Sequence, residues 1–187
     1  MKKMFISFSI VALLIMIIGL FPMTFVNAEK TDGQWVPVTQ KFVSQIGPII
    51  PGERWRTDSG IFQLRGWQYR YTARLTVGTA IYPLYSVTTY DGVFNPNAGV
   101  VNFRYDVVWY WYTGPAPAVS ANGFAGNFES KLTNVITYPP PVYGPGGGGE
   151  TIHCVLQGFG TFEGQTLMLS YDGPVHGGDL TGFLLIK

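Results

Sequence analysis

Cysteine, histidine and charge are what this 187-residue chain has least of: one cysteine, two histidines, and only 12% of residues charged. A lone Cys154 excludes an internal disulfide, so stability has to come from packing. So few imidazoles and thiols do not make a zinc ligand set, and neither a metal nor a cofactor is expected. Formal net charge is +1. The one basic stretch (Arg54, Arg56, Arg65, Arg70 and Arg74) straddles a turn and a strand, which reads as a solvated face and gives no reason to expect a nucleic-acid partner. No Gly-x-Ser-x-Gly elbow is present, and no Lys-Ser or Lys-Thr pair follows the glycines of 146–149. Serine-hydrolase and phosphate-loop chemistry therefore lack their signatures, and no catalytic residue is assigned.

The chain does contain one long uncharged run, 4–26, preceded by Lys2 and Lys3 and followed by Val26-Asn27-Ala28. A positive start, an apolar stretch and small residues three and one before a cut predict a signal peptide over 1–28 and a secreted or cell-surface protein. The run is also long enough to span a bilayer, so an uncleaved anchor helix is the alternative and the only membrane contact expected. Cleavage would leave a single domain over 29–187. It would also remove Lys2 and Lys3 from the twelve basic residues, leaving ten against eleven acidic ones.

Beyond residue 28 the dominant pattern has period two. Trp67, Tyr69, Tyr71, Ala73, Leu75 and Val77 alternate with Gln68, Arg70, Thr72, Arg74 and Thr76, predicting a half-buried strand. The segment 101–112 repeats this, with Phe103, Tyr105, Val107, Trp109 and Trp111 on one face. Further strands are expected at 34–43, 81–90, 123–135, 152–159, 161–171 and 180–186, separated by glycine, proline and Asp-Gly turns. The fold class that follows is all-β: about eight mostly antiparallel strands in one closed or nearly closed barrel, with a sandwich as the alternative. The Pro/Gly-rich stretch 138–150 reads as a surface loop without a core of its own.

Aromatic residues, 16% of the chain, are the main chemical resource. Trp67, Tyr69, Tyr71, Tyr105, Trp109 and Trp111 fall on the faces predicted to point inward, where they would line a site for a small hydrophobic ligand. Tyr110 and Tyr112 on the opposite face would instead stack on a glycan. Cys154 alternates with Ile152 and Leu156, which predicts a buried, inert thiol, with His153 on the other face. Arg104 and Asp106 are expected to form a partly buried ion pair, and His176 to sit in an exposed turn beside Asp172 and Asp179.

Two local resemblances exist. Gly158-Phe159-Gly160-Thr161-Phe162-Glu163-Gly164 resembles the G-x-G-x-F-x-G hairpin of allene-oxide-cyclase and dirigent-type barrels. Gly33-Gln34-Trp35 resembles the G-x-W opening of lipocalins and related calycins. Both imply an eight-stranded barrel with an apolar interior, and the first adds an isomerase or cyclase as an alternative function. An internal echo, Gly123-Phe124 against Gly158-Phe159, suggests bent strand starts where glycine turns and phenylalanine packs.

Overall fold

The computed structural model describes residues 33–113, 119–139, 141–175 and 178–186; the leader expected over 1–28 and the turn residue His176 lie outside them. The strands are β1 (Gln34–Gln45), β2 (Glu53–Arg56), β3 (Phe62–Val77), β4 (Ala80–Asn95), β5 (Val100–Trp111), β6 (Gly123–Thr133), β7 (Val135–Thr137), β8 (Val142–Tyr143), β9 (Gly149–Phe159), β10 (Thr166–Pro174) and β11 (Leu180–Ile186). Eight of them, β1, β3, β4, β5, β6, β9, β10 and β11, form a closed antiparallel barrel in which each pairs with its neighbours in chain order. The ring is sealed by β1, which pairs with β11 from Gln34↔Ile186 to Gln40↔Leu180 and with β3 from Val38↔Val77 to Gln45↔Tyr71. The all-β barrel expected from period-two alternation is therefore the observed fold. Closure satisfies edges that a disulfide-free sheet would otherwise leave open.

One end of the tube is packed solid. Trp109, Phe124, Leu75, Leu84, Leu156 and Leu167 are fully buried there. A single 3-10 turn, Gly160–Phe162, swings Phe162 over this end as a plug, its ring centroid 4.9 Å from Phe124, 5.7 Å from Trp111 and 6.4 Å from Tyr82. Gly158 makes the plug feasible, because a Cβ there would lie 2.0 Å from the Phe162 carbonyl oxygen. This turn also moves the next strand's start from the expected residue 161 to Thr166. The two echoed Gly-Phe pairs face each other across β6 and β9, as Gly123↔Phe159 and Phe124↔Gly158. The Phe159 ring covers the bare position at Gly123, and Phe162 fills the space beside Gly158, which restores the packing glycine gives up.

The opposite end holds a smaller cluster of Phe94, Val101, Leu132 and Val135, with Phe62, Phe103, Tyr138 and Tyr143 packed against it. Two sequence expectations fail here. The stretch 138–150 is not a coreless loop: β8 pairs with β7, and Tyr138 sits 5.7 Å from the Phe103 ring and 6.1 Å from Phe94. The prolines and glycines mask one apolar residue that the barrel end needs. Arg104 and Asp106 do not form a partly buried pair, since both stand exposed on the outer wall. Their neighbours Tyr105 and Val107 take the interior, and alternation leaves the charges in solvent.

Candidate functional site

Toward the end opposite the plug, beside the Phe94 cluster, the inner wall is a band of rings. Tyr69 stacks on Tyr71 at 5.4 Å and meets Tyr90 edge-on at 5.8 Å; Tyr90 lies 5.6 Å from Tyr105, which is 4.8 Å from Phe128. Register explains the band: Tyr69↔Thr88, Tyr90↔Tyr105 and Tyr105↔Phe128 are inward-facing cross-strand partners on β3, β4, β5 and β6. Trp67 joins it through Tyr90 at 6.4 Å, and its indole N–H donates to the Glu53 carbonyl at 3.1 Å. Tyr69, Tyr90, Tyr105 and Phe128 all point inward yet are only half-buried. Inward rings that solvent still reaches mark an open end.

The opening has a structural cause. Beyond Gln40↔Leu180, β1 leaves β11 and follows β3 alone, while β10 continues beside β9 to Pro174↔Gly149. No ladder joins Lys41–Gln45 to β10, and the exposed Phe42, 5.6 Å from Tyr71, stands at this gap. Below the band is a polar floor inside the core: Trp109 donates its indole N–H to the Tyr71 hydroxyl at 2.8 Å, and Ser86 and Thr88, both fully buried, hydrogen bond at 2.9 Å.

One carboxylate belongs to this end. Glu150 opposes the inward-facing Leu132 and Gly173, and Ser130, itself buried, donates to Glu150 Oε1 at 3.2 Å. The nearby Tyr143 hydroxyl is buried and has no hydrogen-bond partner among the described residues. Such an orphan donor beside a carboxylate leaves capacity for a ligand's polar end.

Of the six residues proposed from the sequence, Trp67, Tyr69, Tyr71 and Tyr105 converge at the open end. Trp109 lies beneath them as floor. Trp111 does not join them, because it packs on Tyr82 at 5.7 Å and on Phe162 at the plugged end. Tyr110 faces outward beside Tyr85 and Phe159, at 6.4 and 6.0 Å. Glu150, Ser130 and Phe128 were not singled out. Trp35, the aromatic residue of the G-x-W opening, is 49% exposed on the outer wall.

Burial dominates the electrostatics. It pushes the Tyr71 phenol from 10.0 up to about 12 and the Cys154 thiol from 9.0 up to about 12. Burial also raises Tyr69 and Tyr105 well above 10.0, with Tyr71 adding to the first and Glu150 to the second. The folded state holds these protons at a pH where the unfolded chain releases them, so stability is full below about pH 9 and falls as pH rises toward 12. A urea midpoint that stays level from pH 7 to 8.5 and then drops steadily above pH 9 is the expected result. Cys154, buried in the wall, is expected to react with a thiol reagent at pH 8 only after unfolding; stoichiometric labelling of the folded protein would contradict this assignment.

No family model, curated protein or solved structure matches this chain.

Proposed function

We propose that this barrel is an exported binding protein that takes a small hydrophobic ligand through the open end. The ligand lies against Tyr69, Tyr90, Tyr105 and Phe128, with its polar end near Glu150, Ser130 and Tyr143. The observation behind this reading is the set of inward-facing rings left half-buried where β1 peels away from β11. Flat aromatic walls with a few convergent polar groups suit an apolar molecule bearing one polar group. Delivery outside the cytoplasm is part of the proposal and rests on the 1–28 leader.

The test is native mass spectrometry of the purified domain, followed by thermal unfolding across a panel of fatty acids, fatty alcohols and isoprenoids. A co-purifying small molecule is expected, and a ligand at a hundred times its Kd stabilises by about 2.7 kcal/mol, enough to move melting by several degrees. An apo mass together with unmoved melting across the panel would remove this function.

One observation favours a second reading, an isomerase or cyclase. Glu150 is a carboxylate facing an otherwise ring-lined interior, able to take and return a proton on a bound molecule. Under this reading, ligand extracted from the wild type and from Glu150→Gln would have equal mass and different chromatographic retention. Under the binding reading the two extracts are identical.

A further inference from the structure

A concavity lies on the outside of the barrel. Thr76 of β3, Thr39 of β1, Thr181 of β11 and Ser170 of β10 are direct cross-strand partners in one unbroken outward-facing line. They line a groove of about 520 Å3 together with Pro37 and Phe183. The outer wall of a barrel is convex, and a trough forms here because four short side chains run between taller neighbours. One bank is the parallel line Pro37, Phe183, Met168 and Val155, again direct partners across β1, β11, β10 and β9. On this bank Phe183 is 53% exposed, Val155 48% and Met168 43%. The other bank begins with the paired and exposed Lys41 and Arg74.

The hydroxyls of this line differ from others in the barrel. Ser44 pairs with Thr72, Ser86 with Thr88, Ser130 with Glu150, and Thr166 with Gln157. The side-chain hydroxyls of Thr39, Thr76, Ser170 and Thr181 have no hydrogen-bond partner among the described residues, so each retains one donor and two acceptor sites facing the groove. Strand spacing sets these hydroxyls roughly 4.8 Å apart along a line perpendicular to the strands. An exposed aromatic face beside that line supplies an apolar surface for stacking. A chain of rings, each with an apolar C–H face and an edge of hydroxyl groups, complements both features.

We propose that this trough binds a glycan, a neutral pyranose chain laid across β3, β1, β11 and β10. One sugar ring stacks on Phe183, and its hydroxyls exchange hydrogen bonds with Thr39, Thr181 and Ser170. The site is separate from the tyrosine-walled end and does not depend on it.

The experiment is chemical-shift mapping on the isotope-labelled domain titrated with cellotetraose, chitotetraose and maltotetraose, repeated with Phe183→Ala and Thr181→Val. At least one sugar is expected to shift resonances of β1, β10 and β11 around the trough. Phe183→Ala should weaken binding at least about tenfold and Thr181→Val about threefold, both with melting within a degree or so of wild type. Phe183 is exposed and Thr181→Val preserves shape, so neither variant threatens the fold. The proposal is overturned if no sugar acts at about 10 mM, well above the Kd of a millimolar site. Shifts confined to the tyrosine-walled end, or affinity indifferent to both substitutions, would overturn it equally.

Discussion

Replacing Trp109 by alanine is expected to destabilise the domain by about 3–5 kcal/mol, a large part of the roughly 5–15 kcal/mol that holds a domain of ordinary stability together. Trp109 has no exposed surface and lies against the barrel's inner wall opposite Ser86 and Phe124. Two losses add. Removing the indole empties a large volume that rigid strands cannot collapse into, and it strips the Tyr71 hydroxyl of a donor held at 2.8 Å. Melting should fall by about 10–20 °C for a domain of this size. Trp109→Phe is the milder change, because it keeps a six-membered ring in the core while losing the N–H and part of the indole volume, for about 1–3 kcal/mol. An alanine variant that melts within 2 °C of wild type would mean that this end of the tube is not the packed core described.

The second large effect belongs to Gly158. An alanine Cβ at this position would sit 2.0 Å from the Phe162 carbonyl oxygen and 2.7 Å from its carbonyl carbon. Backbone cannot step aside as a flexible side chain can, so the 3-10 turn must lift and carry Phe162 out of the barrel end. Overpacking of this kind costs about 3 kcal/mol, which corresponds to about 10 °C in melting. Gly164 is the matched control on the same hairpin, with φ +83° and open space around its missing Cβ. Alanine there meets only the left-handed backbone penalty of about 1–2 kcal/mol. Gly158 has no positive φ, so a loss there no larger than at Gly164 would show that the close approach of Phe162 is not what requires glycine.

These contrasts explain what alternation could and could not reveal. Period two assigns a face, and it assigned Tyr69, Tyr71, Tyr105, Trp109 and Trp111 correctly to the inside. It carries no information on height along the tube. Trp111 lies six strand steps beyond Tyr105, about 20 Å, and that distance puts one at the open end and the other under the plug. Register, which no single strand encodes, was needed to see that Glu150 stands across from Leu132 and faces inward with it. Glycine misled in two ways. At Gly66, φ +67° and a register shift between Leu64 and Trp67 interrupt the alternation, hiding the first part of β3. At Gly92 the residue reads as a turn, but it continues β4, where a Cβ would meet the Phe103 ring at 2.9 Å. Tyr138 was lost for a different reason: the proline run beside it suggested a solvated linker, and its contacts are all distant in sequence.

The seam between Gln34 and Ile186 joins the first strand of the tube to the last. A growing polypeptide therefore cannot shut its interior until the final residues of β11 have emerged, and until then β1 and β10 both present raw edges. Closure has to wait for β11, however early the hairpins form. The same adjacency sets Gln34 beside Ile186, so a short peptide joining these two positions could carry a chain break elsewhere, at the tight β3–β4 turn for instance, without altering a single strand neighbour.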